Sequence, residues 1–164
     1  MEIKIENHSK TFLFSVDLED VRSGAKNGEQ YKDRVVDNTR DYLNWLDKYN
    51  FKCTFFVTGD VGSKHPDLIA EIDQKGHEIA CHTNKHIPLD HYNQDELRED
   101  LRLNISVLKK AGIKNIKGFR APTYSLVEKT KWTYEILKDL GFTYSSSVLP
   151  AKNPLYGWPD FGEK

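Results

Sequence analysis

Two histidines four residues apart, His82 and His86 in the stretch CHTNKH, are the first residues whose types and spacing could do chemistry. Such a pair is weak evidence alone, because many histidine pairs bind nothing. The stretch SVDLED adds three carboxylates, Asp17, Glu19 and Asp20, at the end of an apolar run. Two imidazoles and one carboxylate form an open tripod that leaves positions for water and substrate, as a catalytic zinc site requires. These residues predict a metal centre if the fold brings them together.

Short apolar runs typical of β-strands alternate with helical patterns along the chain. Strand, helix and strand repeated at least four times predict parallel pairing, and therefore an α/β fold. An open doubly wound sheet and a barrel both satisfy this pattern, and in either fold the ligand site lies where the strands end. The predicted strands cover residues 11–16, 51–57, 77–81, 116–120 and 142–146.

The predicted strand ends carry the reactive side chains. The acids follow the first strand, the histidine pair follows the third, and Arg120 ends the fourth. If the strands are parallel, these groups converge on one rim. Asp17 directly follows Val16, so we expect a partly desolvated carboxylate that needs a cation or a hydrogen-bond donor.

The helices between the strands carry recognisable start and stop signals. Asn93 followed by Glu96 resembles a capping box at the start of the helix before the fourth strand. Ser125 followed by Glu128 predicts a second capping box, which opens a helix that ends at Gly141.

The composition indicates one well-solvated domain over residues 1–164 and excludes several classes of protein. The net charge of -1 gives no basic surface for nucleic acid. No apolar run approaches the roughly 18 residues of a membrane span, and the first ten residues lack the apolar core of a signal peptide. Cys53 and Cys81 lie in apolar stretches and are expected to be buried free thiols. The expected location is therefore the cytoplasm.

Four segments, in this order along the chain, resemble the polysaccharide deacetylases of carbohydrate esterase family four, which include chitin and peptidoglycan deacetylases. FSVDLED is similar to the family's first motif, and HTNKH fits its His-[Ser/Thr]-x-x-His pattern. GFRAPTYS resembles the Arg-x-Pro motif, and GFTYSSSVLP resembles a later Tyr-Asp-Ser-Ser segment. The resemblance implies a distorted (β/α) barrel with fewer than eight strands, of which this chain would hold an incomplete part.

The resemblance also implies a divalent metal, most often zinc, held by one carboxylate and two histidines. By that analogy His82 and His86 are metal ligands, and Asp17 is the general base. The third ligand is Glu19 or Asp20. Related members with an Asp-x-acid pattern use the acid two positions after the base, which favours Glu19, and Asp20 stays open as the alternative.

Further site residues follow from the later motifs. Arg120 would pair with the base and fix its orientation. A backbone N–H of the turn 122–124 could share the developing oxyanion with the metal. The substrate is expected to contact Pro122, Thr123, Tyr124 and Ser146.

The chain departs from the family pattern at three points. Thr123 directly follows the proline of Arg-x-Pro, where the family usually has an aromatic residue, and Ser145 stands where the family often has aspartate. No histidine follows His91, although the family's last motif carries one that acts as general acid. We therefore expect a fragment of a longer enzyme; the alternative is a shortened protein completed by a partner. A partial barrel exposes strand edges, so a homo-oligomer is also considered.

These features predict metal-dependent hydrolysis of an N-acetyl group from a sugar or polysaccharide, with an N-acetylated saccharide as the partner. A nucleotide-linked or lipid-linked sugar in the cytoplasm fits better than mature cell wall, because no signal peptide is seen. Two alternatives stay open. The same fold could hydrolyse a small or cyclic amide, or the protein could bind metal or carbohydrate without catalysis, which Ser145 and the missing histidine would favour.

Overall fold

In the part of the chain that the structure describes, five parallel strands form one sheet whose strand order follows the order of the chain. The computed structural model describes residues 12–162. A doubly wound sheet reverses its strand order partway, whereas here every new strand adds to the same edge, as in a (β/α) barrel. The predicted α/β barrel fold with fewer than eight strands is therefore confirmed. The strands are β1 (Phe14–Leu18), β2 (Cys53–Val57), β3 (Glu78–Cys81), β4 (Gly118–Phe119) and β5 (Tyr144–Ser145).

Among the described residues, five α-helices form the connections between successive strands. In the described part of the chain, no helix is both long and apolar enough to cross a bilayer. Short 3-10 turns complete the connections at Val21–Gly24, Gly28–Gln30, Leu89–His91, Pro122–Tyr124 and Glu128–Thr130. The helices are α1 (Val35–Lys48), α2 (Gly59–Lys64), α3 (Pro66–Gln74), α4 (Gln94–Lys110) and α5 (Thr133–Asp139).

The centre of the sheet is apolar on both faces, as expected of a strand covered on each side. Phe55, Phe56 and Val57 of β2 are all buried. Cys53 and Cys81 are buried and free, which confirms the sequence prediction for both thiols. This apolar centre leaves the polar site residues to β1 and to the segments that follow the strands.

Two local predictions need correction. The first strand begins at Phe14 and runs through Leu18, so Asp17 lies inside it; Thr11 of the predicted strand lies outside the described residues. The predicted capping box at Ser125 is absent, because that buried hydroxyl donates to the Pro122 carbonyl at 2.7 Å and accepts the Leu89 N–H at 3.0 Å. The helix α5 therefore begins later than the sequence predicted.

The capping box at the start of α4 is confirmed. The Asn93 side chain accepts the N–H groups of Asp95 and Glu96, each at 3.0 Å, and the Glu96 carboxylate accepts the Asn93 N–H at 2.8 Å. These bonds satisfy N–H groups that the helix itself leaves without partners.

Asn93→Ala is expected to lower the free energy of unfolding by about 1 kcal/mol, because it removes the acceptor for two N–H groups at the start of α4. Urea unfolding measures this loss. The exposed Arg102→Ala on the same helix is the matched control and should change stability by less than about 0.5 kcal/mol. Equal losses of unfolding free energy in Asn93→Ala and Arg102→Ala would show that the capping hydrogen bonds do not stabilise the protein.

Candidate active site

The carboxyl ends of the first four strands lie side by side. Leu18, Val57, Cys81 and Phe119 are register partners in turn across β1, β2, β3 and β4. The segments that follow these residues therefore leave the sheet at one edge. That edge carries the acids after β1, the histidine pair after β3 and the arginine after β4.

Glu19, His82 and His86 form a compact group. One ligand atom from each lies within 4.8 Å of the others. The Nε2 atom of His86 is 2.8 Å from the Glu19 carboxylate, and this hydrogen bond lowers the pKa of Glu19 from its ordinary value. One carboxylate and two imidazoles therefore face a common point.

The ring of His82 is almost fully buried and oriented from behind. Its Nδ1 donates to the Arg120 carbonyl at 2.8 Å, which leaves the lone pair on Nε2 facing the group. Burial lowers the pKa of His82 and so favours the neutral imidazole. Among the described residues, Nε2 has no hydrogen-bond partner. A buried nitrogen without a partner is unfavourable, so this donor set fits a divalent cation, which would satisfy it.

The second candidate acid, Asp20, is engaged elsewhere. Its carboxylate accepts from the Arg22 side chain at 2.7 and 2.9 Å and from the Arg22 N–H at 3.1 Å. The hydrogen bonds from Arg22 lower the pKa of Asp20. Of the two acids that the sequence left open, Glu19 is the one whose carboxylate meets the imidazoles.

Asp17 and Arg120 form a pair beside this group. The Nη1 of Arg120 donates to the Asp17 Oδ1 at 2.7 Å, and the other oxygen, Oδ2, lies 3.7 Å from the His82 Nε2. The guanidinium also donates to the Ser15 hydroxyl at 3.0 Å and packs 4.0 Å from the centroid of the Phe56 ring. These contacts fix the arginine and, through it, one oxygen of Asp17.

The predicted substrate residues lie on the same rim with different exposure. The Tyr124 side chain is partly exposed, with its ring 5.6 Å from the Arg120 guanidinium carbon. The hydroxyl of Ser146 instead accepts from Arg120 at 2.8 Å, so it supports the arginine. The Ser145 hydroxyl lies 2.7 Å from that of Ser147, and no acid stands at this position.

Left-handed backbone conformations concentrate in the two loops of the site. Within residues 12–162, six residues other than glycine have positive φ, and four of them are here. Each such residue stores on the order of 1–3 kcal/mol, so its surroundings must hold it in place. One brace is the Thr83 hydroxyl, which accepts the His86 N–H at 3.0 Å. The four residues are Thr83, His86, Thr123 and Tyr124.

Two open clefts meet at Glu19. One, of about 380 Å³, runs past His86 towards Asn84 and Lys85. The other, of about 650 Å³, includes Tyr31 among its lining residues. An extended ligand could therefore lie across the group on both sides.

Sequence reasoning missed the residues that support the site from behind. Ser15 and Phe56 hold Arg120, and Asp100 and Asn104 of α4 contact the histidine loop. The sequence carried a signal for the last two, because they are polar residues placed among the leucines that α4 buries.

Comparison with known proteins connects this geometry to a family. A sequence profile described as polysaccharide deacetylase matches residues 28–145. A peptidoglycan-N-acetylglucosamine deacetylase from Bacillus cereus is 32% identical over 98 residues, which are 59% of this chain and 36% of that protein.

Solved structures extend the likeness to the fold. A Mycobacterium smegmatis protein described as a polysaccharide deacetylase is 29% identical with a TM-score of 0.70, over 85% of this chain and 51% of that chain. A pseudoenzyme of carbohydrate esterase family 4 from Bacillus anthracis is 21% identical with a TM-score of 0.58, over 63% of this chain and 36% of that one, and shows the fold alone. The chain spans about a third to a half of the length of these relatives.

Proposed function

The chain belongs to the polysaccharide deacetylase family, and we propose that it takes part in metal-dependent hydrolysis of an N-acetyl group on an amino sugar. The observation that carries this proposal is the meeting of Glu19, His82 and His86 beside the pair of Asp17 and Arg120. A set of metal donors next to an oriented carboxylate is what hydrolysis of an unactivated amide needs.

Glu19, His82 and His86 would hold the ion, and the bonds of Asp20 to Arg22 support leaving Asp20 out of this set. Two imidazole nitrogens and one carboxylate oxygen are a donor set that catalytic zinc uses, and three protein ligands keep a position open for chemistry. When bound, such an ion supplies Lewis-acid chemistry, since it polarises a carbonyl oxygen and makes water more acidic.

Asp17 accepts the proton of the attacking water at Oδ2, the oxygen that Arg120 leaves free. Arg120 holds the other oxygen, so the proton-accepting one keeps a fixed direction. At the turn after β4, the Tyr124 N–H donates to the Ala121 carbonyl at 3.2 Å. Because proline has no N–H, Thr123 is the residue of this turn whose N–H is assigned to the oxyanion.

The substrate assigned to the two clefts is an N-acetylated oligosaccharide or a sugar carrying such a group. The name of the Bacillus cereus relative, which specifies N-acetylglucosamine in peptidoglycan, supports this class. Acetate release from N-acetylated chitooligosaccharides and peptidoglycan fragments, before and after chelation and zinc restoration, tests the proposal. Release of ammonia or another carboxylate from cyclic amides, without acetate release, would instead favour the small-amide alternative.

A second candidate function is saccharide or metal binding without catalysis. Ser145, bonded to Ser147 where the family often has an acid, favours this alternative. The structural match to the Bacillus anthracis pseudoenzyme also supports it, because that protein has a similar fold. Saturable binding of chitooligosaccharide with no acetate released by the zinc-loaded chain would select it over hydrolysis.

Arg120→Lys is expected to lower kcat on the order of 100-fold with a smaller change in KM. One ammonium nitrogen cannot take the positions of the two Nη atoms, one of which bonds Asp17 while the other bonds Ser15 and Ser146. Steady-state acetate release measures the effect. The control Arg98→Lys makes the same change at an arginine of α4 that is paired with Asp139 at 3.0 Å, and should leave kcat near that of the wild type. An Arg120→Lys variant with full kcat would show that orientation of Asp17 does not limit turnover.

A further inference from the structure

The loop that carries both histidines is held from behind by two buried polar side chains of α4. Asp100 and Asn104 lie one helical turn apart, so they face the same side of α4. Both are buried, with exposures of 3% and 0%. We propose that Asp100 and Asn104 are positioning residues of the metal site and set its affinity by clamping the loop 82–86.

Asp100 bonds the part of the loop next to His86. Its two carboxylate oxygens accept the N–H groups of Asn84 and Lys85, at 2.8 and 3.2 Å. The two amides directly precede His86, so the carboxylate fixes the backbone from which that imidazole projects. A buried carboxylate with two backbone donors is a strong, directional contact.

Asn104 bonds the part of the loop next to His82. Its Nδ2 donates to the carbonyls of Val57 and Thr83, at 2.9 and 2.6 Å. Val57 ends β2, and its carbonyl also accepts the His82 N–H at 3.1 Å. Asn104 therefore ties the residue that follows His82 to the end of the neighbouring strand.

The clamp explains how the loop keeps its conformation. Thr83 and His86 both have left-handed backbone angles, with φ of 61° and 54°. A β-branched residue such as threonine adopts this region only where its surroundings impose it. Asp100 and Asn104 bond the peptide groups between these two strained residues, at the Thr83 carbonyl and at the N–H groups of Asn84 and Lys85. They therefore hold the two imidazoles at the spacing that one ion requires.

This inference rests on the proposed metal site, and its test uses zinc affinity in the full 164-residue chain. Asp100→Asn places an NH₂ group against a backbone N–H and should raise the zinc Kd by roughly 10–100-fold, the range for residues that orient ligands. Asn104→Leu keeps the size but removes both donated bonds, and should weaken zinc binding at least about tenfold. Competition with a chromophoric chelator measures each Kd, and the visible spectrum of the cobalt(II) form reports the ligand geometry.

Leu108→Ala is the matched control, because Leu108 is fully buried on the same helix and faces the apolar core. It should lower the melting temperature while the zinc Kd and the cobalt spectrum stay those of the wild type. A wild-type zinc Kd in both Asp100→Asn and Asn104→Leu would overturn the proposal that these residues set the affinity, and would leave the proposed metal site intact. If zinc binding were weakened equally in Leu108→Ala, the losses in the two polar variants would reflect general destabilisation, and the proposal would be overturned. Failure of the wild type itself to bind zinc would remove the proposed metal site and this inference with it.

Discussion

Asp17→Asn is expected to lower kcat for acetate release by roughly 10²–10⁴-fold while the protein keeps its metal, the range for loss of a general base. Asparagine retains an oxygen that can accept from Arg120, so the local geometry is preserved. Its amide cannot accept a proton from water at neutral pH. The chemical step therefore fails, although the structure and the ligand group do not change.

Metal should stay bound because Asp17 lies outside the ligand group. The group contains Glu19, His82 and His86, whereas the nearer oxygen of Asp17 is 3.7 Å from the His82 Nε2 and its partner oxygen is bonded to Arg120. Atomic absorption after gel filtration gives the metal content of the same sample used for kinetics. The two measurements together separate a lost base from a lost ligand.

The matched control is Asp20→Asn, which makes the same chemical change three residues later. Its carboxylate is bonded to Arg22 and takes no part in the group of Glu19, His82 and His86, so the metal content should stay near wild type. Loss of metal in Asp17→Asn would mean that the base and ligand assignments are exchanged. Loss of metal in Asp20→Asn would restore Asp20 as the ligand in place of Glu19.

The order and type of the strands could be predicted because their apolar runs are bounded by clear turn signals. The residues at which helices and strands begin and end were harder to predict, since they depend on contacts between residues distant in the chain. Ser125 has the type and spacing of a helix cap, yet its hydroxyl bonds Leu89, 36 residues earlier in the chain. A local pattern cannot reveal that a tertiary contact has taken the capping group.

The acids at the end of β1 show the same limit within the site. Sequence spacing places Asp17, Glu19 and Asp20 together but does not say where the strand ends. The strand continues through Leu18, and the chain then turns at Asp20, whose carboxylate caps the next turn through Arg22. The proposed choice of Glu19 over Asp20 follows from that turn, which only the folded chain defines.

The supporting residues on α4 were within reach of sequence reasoning. Leu97, Leu101 and Leu108 mark the buried stripe of the helix, and Asp100 and Asn104 share that stripe. Buried charged and amide side chains require partners, so polar residues in a core stripe indicate a contact with backbone or a site. The identity of the partners, a loop 15 to 21 residues earlier, still needed the structure.

His82→Ala is expected to weaken zinc binding by more than about 100-fold, because it removes a proposed ligand itself. Loss of a residue that only orients a ligand costs about 10–100-fold. Acetate release should fall with the metal content at micromolar zinc. The reason is geometric, since the Nε2 of His82 is buried, has no partner among the described residues, and faces Glu19 and His86. Isothermal titration of the apo-protein with zinc measures the affinity directly.

His77→Ala is the control for removing a buried imidazole, since His77 is 3% exposed and directly precedes β3, at the end of the strand away from the ligand group. Both alanine variants leave a cavity, so both should be less stable than the wild type. Only His82→Ala should lose zinc affinity, because only its ring belongs to the ligand group. Unchanged zinc affinity in His82→Ala would show that His82 is not a ligand. The proposed site would then keep only one carboxylate and one imidazole, fewer than the three protein ligands of a catalytic zinc site.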